Sequence, residues 1–382
     1  MNEKFTSYRI TLLFILFVSL SFLPLYGQHK EITTLEPGAH APDFNLPGVD
    51  GKMHSLSEYN SAPLLMIVFT ANHCPTAQAY EDRIINIARK YKDRGLQVVA
   101  ISPNSPEALS LSELGYSDMG DRLEEMKIRA KDINFPFPYL YDGDNQKVAL
   151  AYGPTATPHV FLFDKNRILR YTGRIDDTEN PYATPAQTDA VNAIEALLAG
   201  RDVPLAKTKT FGCSIKWAWK NEWVQKQREE WAKEPVELKL TDSAGIRDLI
   251  HQTGDKLRLI NIWATWCGPC VMEFNSLIEI NRMYRNRDFE LVTISADLPS
   301  KRQKVLEFLK KHEASCTNYL FNSDNKYALV EAVDKNWQGA IPYSLLVSPE
   351  GKILKYYKGS IDPLKVKKDI IAVLGRYYAD DK

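Results

Sequence analysis

The chain has 382 residues, with 48 Lys plus Arg against 48 Asp plus Glu, so its formal net charge is zero. That length suits two domains, and neutrality argues against nucleic acid or an anionic membrane surface as the main partner. Hydrophobic residues at 44% allow each domain a core, and five cysteines are too few for a disulfide scaffold, so their spacing points to chemistry.

At the N-terminus, Lys4 and Arg9 lead into an uncharged stretch, residues 10–28, rich in Leu, Phe and Ile. The basic start, apolar middle and "PLYGQ" predict a secretory signal peptide over residues 1–27, ending at Gly27. An uncleaved membrane anchor is the alternative; Ser19, Ser21 and Pro24 interrupt the run and favour cleavage. Either way the rest of the chain is expected to be exported, periplasmic or extracellular, where thiols are not kept reduced by default.

The remainder repeats one plan twice. "PLLMIVFT" leads to Cys74, and "LRLINIWAT" leads to Cys267. A helical pattern follows each, over residues 77–91 and 271–284. Then come "VVAIS" and "LVTIS", ending at Ser102 and Ser295, each 28 residues after its cysteine. "YLYDGDNQKVA" and "YLFNSDNKYAL" follow, and "ATPHVFLFDKNRIL" and "AIPYSLLVSPEGKIL" close the halves. The matching order and spacing mark an internal repeat. Strands alternating with helices predict α/β layers, and "DKN" or "PEG" between the last two strands of each half predicts a hairpin. The expected domains cover residues 28–201 and 235–382. Between them lies a connector, residues 202–234, holding four of the seven tryptophans: Trp217, Trp219, Trp223 and Trp231. It is expected to pack its indoles on one or both domains; a partner-docking helix is the sharper reading.

"WATWCGPC" is the sharpest chemical signal. Cysteines two residues apart form a reversible disulfide. At a helix start, unpaired N–H groups and the helix dipole favour the thiolate of the first, Cys267. Cys270 then attacks the mixed disulfide and releases the partner. Trp266 covers the pair, and Gly268-Pro269 fixes the turn. Half of a zinc site is the alternative, but neither a second CxxC nor clustered His supports it.

"WATWCGPC" with "AIP" ending 75 residues after Cys267 resembles the thioredoxin family. The signal peptide and "PCVMEF" make it similar to the TlpA/ResA-like thiol-disulfide oxidoreductases. The resemblance implies a fold of two thioredoxin-like domains in tandem, each a mixed sheet flanked by helices. It implies that Pro342 is cis and abuts the disulfide, keeping metals away and shaping a substrate groove. Cytoplasmic thioredoxins carry a buried Asp where this chain has Asn261; similar exported proteins carry a Glu at the place of Glu273. On a helix, i and i+3 share a face, so Glu273 is a candidate proton relay for Cys270, or else a surface glutamate.

The first half opens with "PGAHAPDFNLPGVDGKMHSLSEY", which resembles the redoxin family. "NHCP", "FPFPYLYD", "TPHVFLFD" and "FGCSIKW" resemble the narrower peroxiredoxin-like thioredoxin-fold proteins over residues 38–217. Peroxiredoxins place Pro-x-x-x-Thr-x-x before their reactive Cys; here Ile67 and Ala71 hold those positions, so the peroxidase frame is absent. Ala77 stands where a second local cysteine would be. Cys74 nevertheless precedes a helix and follows His73, a setting that favours a reactive thiolate; the alternative is an inert remnant. Cys213, beyond an expected final helix over residues 185–199, is the candidate resolving thiol, expected within disulfide range of Cys74. Cys267 or an external thiol is the runner-up. Cys316 reads as a small buried hydrophobe.

The expected function is an exported thiol-disulfide oxidoreductase acting through Cys267 and Cys270. Its partners would be client proteins with thiols or disulfides and an external electron donor or acceptor, such as a membrane redox protein. No cofactor is expected, since no nucleotide-binding loop appears. One rival is a two-module peroxidase whose second domain reduces Cys74. Another is a redox-linked binding module with a vestigial first site.

Overall fold

The computed structural model describes residues 32–378. The signal-peptide expectation, on residues 1–27, lies outside the described residues.

The first half runs β1 (Asn45–Pro47), β2 (Met53–Ser55), β3 (Leu64–Phe69), α1 (Pro75–Tyr91), β4 (Leu96–Ser102), α2 (Leu123–Asp132), β5 (Tyr139–Tyr141), α3 (Lys147–Tyr152), β6 (His159–Phe163), β7 (Leu169–Gly173) and α4 (Asp189–Leu198). After α5 (Asn221–Ala232) the second half runs β8 (Lys239–Thr241), α6 (Ser243–His251), β9 (Leu257–Trp263), α7 (Gly268–Tyr284), β10 (Phe289–Ser295), α8 (Arg302–Lys311), β11 (Thr317–Phe321), α9 (Lys326–Val333), β12 (Tyr343–Val347), β13 (Ile353–Lys358) and α10 (Pro363–Leu374).

The repeat is a repeat of topology. The first sheet has strand order β5-β4-β3-β6-β7; the second has the same core order, β11-β10-β9-β12-β13, with β8 added beyond β11. In each, the three strands up to the cysteine strand are parallel and the final hairpin is antiparallel, as its turn residues predict. β3 and β9 are central strands covered on both faces, so every residue in them is buried. That is why they read as near-continuous apolar runs rather than alternating ones. Each leads directly into the helix that carries the cysteines.

Two expectations shift. α1 and α7 begin at Pro75 and Gly268, earlier than the apolar periodicity starts, because the cysteine sulfurs themselves cap these helices. The helix expected over residues 185–199 begins only at Asp189. Before it, the Gln187 carbonyl accepts the Asp177 N–H at 3.2 Å and is committed to a loop contact. In the connector, Trp219 lies in a 3₁₀ turn, Ala218–Lys220, that leads into α5, and it stacks on Trp217 with centroids 4.9 Å apart.

The segment after α4 returns to the first sheet. Thr172 binds the backbone of Ala206 and Thr208, Thr157 binds Cys213, and Ser105 binds Lys216. The halves also share a core. Leu109 and Leu114 of the first half join Leu277, Met283 and Tyr284 of the second in one apolar cluster. Tyr284 donates its hydroxyl to the Ser117 carbonyl at 2.7 Å.

Candidate active site

Cys267 and Cys270 are joined in a disulfide, with Cα atoms 5.3 Å apart. Cys267 is the N-cap of α7, and its sulfur accepts the Cys270 N–H at 3.3 Å. The peptide bond between Ile341 and Pro342 is cis. It follows the same turn that brings the Ile341 carbonyl 3.6 Å from the Cys267 sulfur. Only 6% of Cys267 is exposed and none of Cys270, so the pair presents one edge outward. That edge borders a groove of about 510 Å³ lined by Trp266, Lys326, Tyr327, Trp337 and Ile341. Trp266 and Tyr327 are exposed there, and the Lys326 ammonium lies 5.0 Å over the Trp266 ring. An apolar, aromatic-rimmed groove beside a disulfide suits an extended peptide.

Glu273 is buried, which removes the surface-residue alternative. Its carboxylate accepts the Ile361 N–H at 2.8 Å and the Asn261 side-chain amide at 3.1 Å; the same amide reaches Ser344 at 2.9 Å. Burial raises its pKa, and those two hydrogen bonds only partly oppose the shift. The carboxyl, one turn beyond Cys270 on the same helix face, therefore keeps its proton to higher pH than an exposed glutamate does.

The first half builds the same corner with different parts. Cys74 caps α1, and its sulfur accepts the Ala77 N–H at 3.3 Å. Thr157–Pro158 is a cis peptide bond, and Cys74 donates to the Thr157 carbonyl at 3.2 Å. Ala77 leaves no local partner, as expected. Cys213 instead packs against Cys74, Ala71 and Ala77, brought in by an antiparallel bridge to Thr157. The structure thus brings Cys213 to Cys74 as free thiols. It does not bring Cys267 there: Cys267 caps the N-terminus of α7, whereas the first half docks at that helix's C-terminal end through Tyr284. The 17-residue helix separates those ends by about 25 Å at 1.5 Å per residue. Cys316 is partly buried, beside Asn318, and takes no part in either corner.

His73 turns from Cys74 toward Asp121, its Nδ1 at 2.6 Å from the carboxylate. Asp121 also accepts the backbone N–H groups of Asn72 (2.8 Å) and His73 (3.2 Å) and the Asn104 amide (2.7 Å). Burial disfavours charge on His73, but the Asp121 carboxylate outweighs it and pushes the imidazole pKa up. Burial likewise opposes a Cys74 thiolate, yet the Cys213 contact and the His73 charge together pull its pKa down. Asp121 and Asn104 have no signal in the sequence, because nothing in their local spacing ties them to Cys74.

Fold and corners together define a tandem of two thioredoxin-like domains. Residues 37–172 match the AhpC/TSA family and residues 235–372 match the Redoxin family. The chain is homologous at low identity to thiol-disulfide oxidoreductases. It is 24% identical over 139 residues to a thiol-disulfide oxidoreductase ResA of Bacillus cereus, covering 35% of this chain and 72% of that protein. It is 29% identical over 122 residues to the thiol:disulfide interchange protein DsbE of Allochromatium vinosum, covering 32% of this chain and 62%, under two thirds, of that one. Among solved structures, a hypothetical protein, SMc02350 from Sinorhizobium meliloti 1021, is 34% identical, with 49% of this chain and 97% of that chain covered and a TM-score of 0.44. Among the described residues no helix is long and apolar enough to cross a membrane.

Proposed function

We propose that the second domain exchanges disulfides with client proteins through Cys267 and Cys270. The observation that carries this reading is the Cys267–Cys270 disulfide at the head of α7, with Cys267 at the edge of an aromatic groove. In the reduced state the Cys267 thiolate attacks a client disulfide, forming a mixed disulfide and releasing one client thiolate. Cys270 then attacks the Cys267 sulfur, the second client thiol leaves, and two electrons have passed to the client. Glu273 takes the Cys270 proton. Pro342 and Trp266 position the client strand. The same steps run backwards when the client is the dithiol.

The chain's working limits are a signal peptide at 1–27, a first domain at 28–201, a connector at 202–234 and a second domain at 235–382. The basic-then-apolar N-terminal pattern supports export to the periplasm or beyond. An external thiol-disulfide partner supplies or removes the electrons. A direct hand-off from Cys267 to Cys74, which the two-module peroxidase requires, is disfavoured by the length of α7 between the two corners.

The test is an insulin-type disulfide reduction assay with dithiothreitol as donor. Wild-type protein is expected to accelerate precipitation and Cys267→Ser to give the uncatalysed rate. Undiminished turnover in Cys267→Ser would overturn the assignment.

A further inference from the structure

The two domains differ at one corresponding place. In the second, the turn at Ile341 borders an open groove. In the first, the turn at Thr157 is filled by the chain's own residues 211–215. Thr157 donates its N–H to the Cys213 carbonyl at 2.9 Å. The fit is close: a Cβ on Gly212, whose φ is +131°, would stand 2.1 Å from the Thr157 carbonyl oxygen. Thr155 and Thr210 hydroxyls tie the two strands again at 2.7 Å. The segment is therefore built into the position that, beside Cys267, is an open groove.

We propose that Cys74 and Cys213 are a second redox pair, in which residues 211–215 act as a built-in client strand and outside thiols and disulfides react only at Cys213. The comparison with a client strand rests on the Cys267–Cys270 reading, whereas the pairing of Cys74 with Cys213 stands on its own contacts.

Burial assigns the roles. Cys74 has no exposed surface, while Cys213 is partly exposed. An incoming thiolate can reach only the Cys213 sulfur. It bonds there, the Cys74–Cys213 bond breaks, and Cys74 keeps the electron pair as a thiolate. A second thiol then attacks the incoming sulfur of the mixed disulfide and displaces Cys213. In sum, the protein disulfide and two RSH give RSSR, a Cys213 thiol, and a Cys74 thiolate whose counter-proton rests on His73. With RSSR as the oxidant the same path runs in reverse.

The surroundings favour the leaving group. His73 is buried, locked to Asp121 through Nδ1, and its Nε2 has no hydrogen-bond partner in a buried setting. Protonated His73 and the Ala77 N–H both stabilise a Cys74 thiolate, and a stabilised thiolate leaves faster. The contact with Cys74 and burial push the Cys213 thiol up, so of the two sulfurs Cys74 carries the charge; the Lys216 charge only partly opposes the rise at Cys213 and at His73, and Tyr378 of the C-terminal segment lies within charge range of both sulfurs. Stabilising the reduced form makes the disulfide a better oxidant.

The experiment uses the full chain carrying Cys267→Ser and Cys270→Ser, so that the other dithiol is silent and the outcome is separate from its fate. The protein is equilibrated in glutathione buffers of graded composition, quenched with acid, alkylated and digested without reduction. A Cys74–Cys213 linked peptide that grows with oxidised glutathione is expected. His73→Gln is expected to raise the equilibrium constant for forming that link roughly tenfold, the effect of one pKa unit on the thiolate. Recovery of Cys74 and Cys213 as free, alkylated thiols throughout would overturn the proposal. So would a glutathione adduct on Cys213 that never closes onto Cys74, or a link whose equilibrium His73→Gln leaves unchanged.

Discussion

Asn261 donates its side-chain amide to Glu273 at 3.1 Å, joining the central strand β9 to the helix that carries the dithiol. An amide cannot move a proton, so the proposed relay at this corner falls to the carboxyl of Glu273. Its pKa is raised by burial. Glu273→Gln is expected to keep the fold, slow exchange by about 10²-fold, and flatten the pH–rate profile, since general acid–base help is typically worth roughly 10²–10⁴. Stopped-flow disulfide exchange across neutral pH, from the acid to the alkaline side, measures it; an unchanged curve would reduce Glu273 to packing.

The same raised pKa has a stability consequence. For a group whose folded pKa exceeds its unfolded one, the stabilisation is full below the unfolded value and is lost as pH rises through the folded one. Glu273 therefore makes the second domain lose stability from the ordinary carboxylate range upward. Glu273→Gln should abolish that component of the slope in urea denaturation followed against pH.

Arg376 reaches back from the C-terminal segment to Asp118, which is almost fully buried, at 2.6 Å. Its guanidinium holds the Asp118 carboxyl below its usual pKa although burial pulls the other way. Arg376→Ala is expected to cost roughly 2 kcal/mol, a charged hydrogen bond lost over a buried acceptor. The pair's contribution is present above the ordinary Asp pKa and disappears as pH falls through the lowered one. Urea unfolding at neutral pH and again below the lowered Asp118 pKa should show the loss only at the higher pH.

Arg287 stacks on Tyr116 at 3.8 Å and donates to the Gly115 carbonyl at 2.7 Å, so it ties α7's end to the first domain. Arg287→Ala should open the joint between the domains while each keeps its fold. Faster proteolysis between residues 110 and 120, with unchanged far-ultraviolet circular dichroism, is the expected reading.

Peroxide reduction is expected to be slow. Ile67 and Ala71 stand where a peroxidatic frame needs Pro and Thr, and Cys74 has no exposed surface. Hydrogen peroxide consumption by the purified protein should stay far below that of peroxiredoxins. Rapid, Cys74-dependent consumption would revive the two-module peroxidase.

The internal repeat carries most of the fold. Apolar runs such as "LLMIVF" are long enough to require burial on both faces, and hairpin turns declare themselves in "DKN" and "PEG". The cysteines declare their own helices, although the helix starts differ from the apolar pattern because a sulfur cap has no signature in that periodicity. Glu273 is legible because helix spacing is local. Asp121 is not, since its partner His73 lies 48 residues away and only the tertiary fold joins them.

The central claim is that Cys267 is the attacking sulfur and Cys270 the resolving one. It is tested most directly by mapping the adduct that Cys270→Ser forms with a disulfide-bonded peptide. The account predicts a stable mixed disulfide on Cys267, found by mass spectrometry and released by dithiothreitol. An adduct on Cys74 or Cys213 alone, with Cys267 free, would contradict it.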